Sequence, residues 1–270
     1  MCNFKVNGVN LFYEVRGNKD AKETVVFLNG VMASTNSWYV LSKPFEDLGY
    51  RVLLHDFKGQ LKSDKPEGPY SFQEHADELQ ALLTHLNIES AHFIGTSYGG
   101  EVALKYASLY QNHMKCMVII DSTTELDPIM TYFISSWKKS AELGDGEAFF
   151  DLLAPSVYGE KFMRENKDFL EARAKAMSKI GKDYLEGQII LYDTFLNDVS
   201  MTEILPEIET KTLVICGEND ILKSPKHSLR IHQNIKGSEY VVLPECGHVS
   251  IFEKPNELIT LLLGFVLKNK

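Results

Sequence analysis

The sequence has no hydrophobic run long enough to span a membrane. Its longest apolar stretch, residues 258–267, has about ten residues, whereas a spanning helix needs about 20. Residues 1–5 contain no apolar core of the kind found in signal peptides. We therefore expect a cytoplasmic protein without a membrane partner, in which residues 258–267 pack as a terminal helix.

The sequence has fewer positively charged than negatively charged residues. Lysine and arginine number 28 against 37 aspartates and glutamates, which leaves a net charge of -9. Such a chain offers no basic patch to neutralise phosphates, so nucleic acid is excluded as a partner. The expected partner is a small-molecule substrate, and the sequence leaves open whether the protein is a monomer or a homodimer.

The four cysteines show no pairing pattern. Cys2, Cys116, Cys216 and Cys246 are widely spaced, with no C-x-x-C pair and no metal-ligand spacing. Cys246 lies two residues before His248, but no second pair of ligands accompanies them. We expect reduced thiols, no metal and no organic cofactor.

Short apolar runs alternate with helical patterns over most of the chain. Two strand-like runs, residues 4–6 and 10–15, flank Asn7-Gly8, a preferred hairpin turn that predicts an antiparallel pair. The later runs are continuous in Val, Ile and Leu, as in parallel strands covered on both faces: residues 24–28, 50–54, 91–94, 117–120, 212–216 and 240–243. This order predicts an α/β domain.

The alternation stops between residues 126 and 205. This stretch reads as successive helices, and the strand pattern resumes only after it. We therefore predict a core formed by residues 1–125 and 206–270, with a helical insertion of residues 126–205. Elsewhere, Ser71 with Glu74 and Ser250 with Glu253 have the spacing of capping boxes, which predicts a helix start at each site.

A G-x-S-x-G pentapeptide lies between a strand pattern and a helix pattern. Gly95-Thr96-Ser97-Tyr98-Gly99 follows the apolar run that ends at Ile94, and helical spacing follows Gly100. A serine on such a strand-to-helix turn presents its hydroxyl above the sheet edge. Ser97 is the candidate nucleophile.

Two further polar residues follow predicted strands. Asp220 comes shortly after the strand that ends at Cys216, and His248 after the strand that ends at Leu243. A serine needs an imidazole to accept its proton, and the imidazole needs a carboxylate on its other nitrogen. Asp220 is the favoured carboxylate, while Asp121 at another strand end and Glu218 stay open as alternatives.

Acyl transfer also requires backbone N–H donors for the oxyanion. The N–H of Tyr98, at the start of the helix after Ser97, supplies one donor. Val31, which follows Asn29-Gly30 at the end of its strand, is the expected second donor.

Four motifs together resemble the α/β-hydrolase superfamily, in the branch of small bacterial capped esterases, enol-lactonases and C-C hydrolases. They are Asn29-Gly30, the loop from Asp56 to Ser63 with Asp64-Lys65-Pro66, the stretch from Gly95 to Gly100, and Gly247-His248 with Glu253 and Pro255. The order Ser, Asp, His also matches the triad of that fold. The resemblance implies a mostly parallel, eight-stranded sheet flanked by helices, with the inserted helices as a cap over the active site.

The chain departs from the family pattern in two motifs. Asn29 replaces the usual His, and in the D-x-R-G-x-G-x-S loop Lys58 replaces Arg and Leu61 replaces the second Gly. A left-handed conformation is unfavourable for Leu, so the loop is expected to take another path. Neither change touches the triad.

The substrate pocket is harder to assign, because aromatic residues at helical spacing also form plain core. The candidates are Asn29, Trp38, Tyr132, Phe133, Trp137, Leu222 and Val249. Arg164 and Arg173 are the cap arginines available for a substrate carboxylate, although neither is obviously positioned for one.

These features predict a serine hydrolase of the carboxylesterase type. Its substrate would be a carboxylic ester, thioester or lactone of small to medium size and largely apolar character. A C-C bond hydrolase or an acyltransferase could use the same triad. A signalling protein of hydrolase fold that only binds a small ligand is the alternative outside the enzymes.

Overall fold

The computed structural model describes residues 2–270, with a sheet of eight strands at its centre. In chain order the strands are β1 (Cys2–Val6), β2 (Val9–Gly17), β3 (Thr24–Leu28), β4 (Arg51–His55), β5 (Ala91–Thr96), β6 (Met114–Ile120), β7 (Lys211–Gly217) and β8 (Glu239–Leu243). Their order across the sheet is β1-β2-β4-β3-β5-β6-β7-β8.

The sheet is mostly parallel. β2 runs antiparallel to β1 and β4, and all the other neighbouring strands are parallel. The carboxyl ends of β5, β7 and β8 therefore point to the same edge, which is where α/β sheets bind ligands. The predicted fold class is confirmed.

The described residues form eleven α-helices in addition to the sheet. They are α1 (Tyr39–Asp47), α2 (Phe72–His85), α3 (Tyr98–Tyr110), α4 (Pro128–Glu142), α5 (Gly146–Val157), α6 (Glu160–Glu165), α7 (Lys167–Met177), α8 (Lys182–Asp198), α9 (Pro225–Asn234), α10 (Ser250–Glu253) and α11 (Pro255–Lys268). Three short 3₁₀ segments, Thr35–Trp38, Gln111–His113 and Thr202–Glu207, complete the chain.

Two hydrophobic cores cover the two faces of the sheet. In β3, Val26 and Leu28 pack on the same side as the apolar faces of α2 and α3. Val25 and Phe27 point to the other side, where α1 and α11 pack. Because successive strand residues point to opposite faces, a strand buried on both sides must be apolar throughout. This requirement explains the continuous apolar runs of the sequence.

Helices α4 to α8 lie between β6 and β7 in the chain. α4 starts where Asp127 accepts a hydrogen bond from the N–H of Met130 at 2.8 Å, an N-cap that ends the irregular segment after β6. These helices occupy the stretch in which the sequence predicts a cap, and the sequence pattern had not indicated the short α6. The division at residues 126 and 205 stays a prediction.

The two capping-box predictions have different outcomes. Ser71 accepts a hydrogen bond from the N–H of Glu74 at 3.1 Å and caps α2 as predicted. At Ser250 the predicted helix start is confirmed, since α10 begins there, but the capping box is wrong: Val249 is the N-cap, and the hydroxyl of Ser250 donates to the carboxylate of Asp121. Ser250 is thus the first residue of α10 and not its cap.

The apolar stretch at the end of the chain packs against the core. Leu258, Leu262 and Val266 of α11 are buried in the same core as α1. Between residues 2 and 270, no helix combines the length and the hydropathy needed to cross a bilayer.

Candidate active site

Ser97 occupies a strained turn between β5 and α3. Its backbone φ of 50° lies in the left-handed region, which is rare for residues other than glycine. Gly99 permits this turn, because a Cβ there would lie 2.1 Å from the carbonyl oxygen of Leu28. The backbone N–H of Ser97 donates to Ile120 at 2.8 Å, which ties the turn to β6. The turn therefore fixes the hydroxyl of Ser97 at the sheet edge.

Ser97, His248 and Asp220 form a continuous hydrogen-bonded chain. Nδ1 of His248 donates to Oδ2 of Asp220 at 2.7 Å, and Nε2 lies 3.0 Å from Oγ of Ser97. With the proton on Nδ1, Nε2 is free to accept the proton of the serine hydroxyl. The geometry is that of a nucleophile, a general base and the carboxylate that orients the base.

Burial and charge act in opposite directions on His248. Removal from water would lower the pKa of the imidazole, but the charge and hydrogen bond of Asp220 outweigh that effect and raise the pKa. Asp220 thus favours the imidazolium that forms when His248 takes a proton from Ser97.

Asp121 does not bind the histidine. Its carboxylate accepts hydrogen bonds from the N–H of Gly217 at 2.9 Å and from the hydroxyl of Ser250. Burial, and then the neighbouring charge of Asp220, raise the pKa of Asp121 to about 7. Of the carboxylates considered for His248, only Asp220 is hydrogen-bonded to it, and Glu218 instead accepts from the N–H of Glu245 at 3.0 Å.

Two backbone N–H groups near Ser97 have no acceptor among residues 2–270. They belong to Val31 and Tyr98, the pair expected as oxyanion donors. A Cβ placed on Gly30 would lie 3.5 Å from Cβ of Ser97, so the segment before Val31 passes close to the nucleophile. The side-chain amide of Gln60 donates to the carbonyl oxygens of Gly30 at 2.8 Å and Val31 at 3.2 Å, which fixes that segment.

Comparison with known proteins agrees with this geometry. Residues 23–255 match the family described as alpha/beta hydrolase fold. The chain belongs to the α/β-hydrolase family. This result confirms the resemblance that the four motifs indicate.

Several characterised proteins are similar to this α/β hydrolase along most of its length. The proline iminopeptidase of Lactobacillus crispatus (strain ST1) is 26% identical, and the match covers 94% of each chain. A 2-hydroxy-6-oxo-6-phenylhexa-2,4-dienoate hydrolase of Comamonas testosteroni is also 26% identical, over 90% of this chain and 87% of that protein. The crystal structure of MGS-M2, an alpha/beta hydrolase enzyme from a Medee basin deep-sea metagenome library, is 30% identical, with a TM-score of 0.93 over 98% of this chain and 96% of that one.

An apolar cavity of about 110 Å³ lies over Ser97 in this α/β hydrolase. Val31, Trp137, Leu222 and Val249, four of the residues considered at the sequence level, line it. Side chains of α4, α5, α7 and α8 form its roof, and the sheet edge forms its floor. The inserted helices thus enclose the space in which a substrate would meet Ser97.

Four of the predicted pocket residues do not line this cavity. Tyr132 is 78% exposed on the outer face of α4, and Phe133 packs on the core and stacks on Trp137. Trp38 is buried under the sheet, where its indole N–H donates to the side-chain oxygen of Asn29 at 2.8 Å. Helical periodicity identifies a buried face but does not distinguish a core from a cavity wall.

Asn29 holds the active-site loops in place through hydrogen bonds of its side chain. Its side-chain amide nitrogen lies 2.9 Å from the carbonyl oxygen of His55, 3.1 Å from Oδ1 of Asp56 and 3.0 Å from Oε1 of Gln60. Asn29 therefore replaces the usual His of the family with a side chain that both donates and accepts. The same Gln60 holds the backbone next to Val31, so Asn29 supports the oxyanion donor indirectly.

The loop of residues 56–63 takes its left-handed conformation at Gly59, where φ is 88°. Leu61, at the position of the missing second Gly, is half-exposed and has no positive φ. Lys58, in place of the family Arg, forms an ion pair with Glu78 at 2.9 Å. The loop thus folds without the second glycine because its strained position is Gly59.

The loop that carries His248 is bound to the inserted helices. The backbone N–H of His248 donates to the carbonyl oxygen of Val157 at 2.8 Å. The carboxylate of Glu253 accepts from the N–H of Gly247 at 2.9 Å and from that of Gly159 at 3.2 Å. The bonds to Val157 and from Gly159 connect the segment of residues 247–253 to the junction of α5 and α6, and the bond from Gly247 to Glu253 lies within that segment.

Cys246 is not a second nucleophile. It is buried, and burial followed by the charge of Asp121 raises the pKa of its thiol far above the ordinary value. Cys116 and Cys216 are also buried, while Cys2 is exposed. In the part of the chain that the structure describes, no group of three His, Cys, Asp or Glu side chains is arranged to hold a metal ion.

Sequence reasoning missed one charged group at the nucleophile and left another unassigned. Lys223, buried beside Ser97, is paired with the buried Glu101 at 2.8 Å. Arg173 of α7 lines the cavity, and its buried Nε has no hydrogen-bond partner. A single glutamate within an apolar helix, at position 101 two residues after Gly99, was the only sequence signal for the buried pair.

Proposed function

We propose that this α/β hydrolase is a serine carboxylester hydrolase that cleaves an ester, thioester or lactone of a small to medium, largely apolar substrate. The observation that supports this most directly is the hydrogen-bonded chain from Asp220 through His248 to Ser97, at the floor of an apolar cavity. The reaction needs only groups of this chain and water.

The reaction begins when Oγ of Ser97 attacks the substrate carbonyl while His248 takes the serine proton. The N–H groups of Val31 and Tyr98 stabilise the oxyanion of the tetrahedral intermediate. As the intermediate collapses, the bond to the leaving oxygen breaks and His248 delivers its proton to that oxygen. Water, activated by His248, then attacks the acyl-enzyme, and Ser97 recovers its proton.

The size and polarity of the cavity favour a compact acyl group. Its volume of about 110 Å³ is smaller than the ~150 Å³ of an engineered cavity that binds benzene. Apolar side chains such as Ile134, Phe150 and Leu153 cover most of its wall. We therefore expect short acyl chains to fit and long ones to require displacement of the roof.

An aminopeptidase is the rival raised by the proline iminopeptidase. Such an enzyme must bind a free α-amino group, which calls for an acidic side chain in the cavity. No Asp or Glu among the described residues lines the cavity, and Glu101 behind it is already paired with Lys223. Arg173 adds a positive charge at the cavity wall that would repel an ammonium group. These charges favour an ester over an N-terminal peptide.

A C-C bond hydrolase or an acyltransferase remains the second candidate. Its support is Arg173, a cation at the cavity wall whose Nε lacks a partner and which could bind the carboxylate of an acidic substrate. The same triad could catalyse either C-C bond hydrolysis or acyl transfer. A protein that only binds its ligand would retain it with no turnover.

The deciding experiment measures hydrolysis of p-nitrophenyl esters from acetate to decanoate. The wild type is expected to be fastest on the short esters and slow on decanoate, and Ser97→Ala to lose this turnover. Ser108→Ala is the matched control, because Ser108 also lies on α3 but its hydroxyl binds the carbonyl oxygen of Lys105.

The outcomes separate the candidate functions. Equal turnover by Ser97→Ala and the wild type would contradict the assignment of the nucleophile. Faster cleavage of L-proline p-nitroanilide than of any ester would favour the peptidase. Absence of turnover on every ester would favour the C-C hydrolase or the ligand-binding protein.

A further inference from the structure

A buried lysine lies beside the proposed nucleophile. Nζ of Lys223 is 3.1 Å from Oγ of Ser97, and its side chain is 3% exposed. The same ammonium lies 4.6 Å from the centre of the Phe195 ring in the roof of the cavity. Lys223 is three residues beyond Asp220, whose Oδ1 accepts from the N–H of Lys223 at 2.8 Å. The turn that presents the acid of the triad therefore also delivers the lysine.

The charge of Lys223 is compensated by one carboxylate. Oε1 and Oε2 of Glu101 lie 2.8 and 2.9 Å from Nζ, and Glu101 is fully buried. Glu101 follows Ser97 by four residues, one helical turn along α3, and also accepts from the N–H of Thr123 at 2.9 Å. Helix α3 and the turn before it thus fix both the partner of the lysine and the nucleophile.

A purely structural ion pair would not need this orientation. Burying two charges is costly even when they are paired, and apolar residues of similar volume are often as stable. Glu101 takes up only part of the donor capacity of the ammonium, and the remaining contact is to Ser97. The hydrogen bond to the reacting oxygen gives a reason for burying the pair here.

We propose that Lys223 is a further catalytic residue, which donates a hydrogen bond to Oγ of Ser97 and thereby directs the serine hydrogen to His248. A hydroxyl has one hydrogen and two lone pairs, whereas a lysine ammonium has three donors and no acceptor. Oγ can therefore only accept from Lys223, and its hydrogen has one neighbouring acceptor, Nε2 of His248 at 3.0 Å. One lone pair of Oγ remains free to attack the substrate.

The same contact acts when the acyl-enzyme breaks down. The bond between the acyl carbon and Oγ breaks, its electron pair returns to Oγ, and His248 gives Oγ a proton. The ammonium of Lys223 stabilises the negative charge that develops on Oγ before this proton arrives. Lys223 therefore assists both the orientation of the nucleophile and its departure.

The test is the rate at which a fluorophosphonate phosphonylates Ser97, because this probe reports the nucleophile without knowledge of the substrate. Glu101→Gln/Lys223→Met removes both charges and keeps an acceptor for the N–H of Thr123. We expect labelling to slow by at least about tenfold, in line with the loss of a hydrogen bond to a charged group. Hydrolysis of p-nitrophenyl acetate should slow in parallel.

A matched control separates this effect from the general loss of a buried ion pair. Lys58 and Glu78 form a pair of similar burial at 2.9 Å, and neither lines the cavity. Glu78→Gln/Lys58→Met should lower the melting temperature but keep the labelling rate. If Glu101→Gln/Lys223→Met does not fold, Glu101→Met/Lys223→Met replaces the pair by apolar side chains and serves the same test.

The pH profile gives a second readout that a structural role would not move. The charges of Asp220, Asp121, Lys223, Glu101 and Glu253 all act on His248, and Lys223 is itself flanked by Glu101 and Phe195. The positive end of the ion pair faces Ser97 and lowers the pKa of His248 against the effect of the aspartates. Removing the pair should therefore move the acid limb of the labelling rate to higher pH.

This inference rests on the proposed function, and the labelling experiment separates their failures. An unlabelled Ser97 in the wild type would overturn both. Rapid labelling of the wild type together with an unchanged rate and acid limb in the folded double variant would overturn the role of Lys223 alone. Slower labelling with a shifted acid limb, absent from the control pair, would support it.

Discussion

Two aspartates lie close to His248, and their hydrogen bonds differ. Asp220 binds Nδ1 of His248 at 2.7 Å, while Asp121 binds the N–H of Gly217 and the hydroxyl of Ser250. Both follow strands, so their position in the sequence could not separate them. The difference depends on where each side chain finds donors, and only the tertiary structure fixes that.

These contacts predict unequal effects of removing the two charges. Asp220→Asn should lower kcat for p-nitrophenyl butyrate by about 10⁴-fold, because the amide no longer favours the tautomer and charge that His248 needs. Asp121→Asn should keep most of the activity, since it has no bond to the imidazole. Comparable losses in the two variants would contradict the assignment of Asp220.

Only some of the charged and polar residues of the site could be predicted from the sequence. Ser97, Asp220 and His248 could be predicted because each follows a strand and their chemistry is interdependent. Lys223 and Glu101 were not predicted, because a buried ion pair between residues 122 positions apart produces no periodic pattern. Trp38 was assigned to the pocket because the sequence does not say on which side of the sheet a residue lies.

At the scale of elements, the strands and longer helices could be predicted from apolar periodicity. The short α6, with six residues and none fully buried, has no such pattern. Helix α3 shows the opposite case. It was predicted from its apolar residues, but its one buried carboxylate, Glu101, was given no role. Periodicity reports the faces of an element but not which of its exceptions are functional.

Helix α7 offers a test of substrate charge. Arg173 lines the cavity with an unpartnered Nε, so Arg173→Met should lower kcat/KM for mono-p-nitrophenyl succinate by about tenfold or more. The same variant should act on p-nitrophenyl butyrate, which lacks the second carboxylate, about as well as the wild type.

Arg164→Met is the matched control for Arg173→Met. Arg164 belongs to α6, is largely exposed and pairs with Glu160 of its own helix at 3.1 Å. It should treat both esters like the wild type. Equal sensitivity of the two esters to Arg173→Met would argue against a bound anion at this position.

For the whole molecule, Asp121 predicts a dependence of stability on pH. Burial, together with the charge of Asp220, raises the pKa of Asp121 to about 7, above its ordinary 3.8. The folded state therefore holds a proton that the unfolded chain releases above about pH 4. The stability that this proton confers is complete below the ordinary pKa and is lost as the pH rises through the folded pKa.

Urea unfolding at a series of pH values measures this effect. Between pH 5 and pH 7 the free energy of unfolding of the wild type should fall by about 2 kcal/mol through this group. Asp121→Asn, which cannot ionise, should show a smaller fall over the same range. Parallel curves for the two proteins would contradict the raised pKa.

Two hydrogen bonds, from His248 to Val157 and from Gly159 to Glu253, connect the segment of residues 247–253 to the junction of α5 and α6. The base and this part of the roof therefore form one mechanical unit. Lifting the roof at this edge would break the bonds from Gly159 to Glu253 and from His248 to Val157. Because the backbone N–H of His248 is one of these donors, opening the roof at this edge would remove a support of the imidazole beside Ser97. Entry past a different edge of the roof would leave these bonds, and the contact of His248 with Ser97, in place.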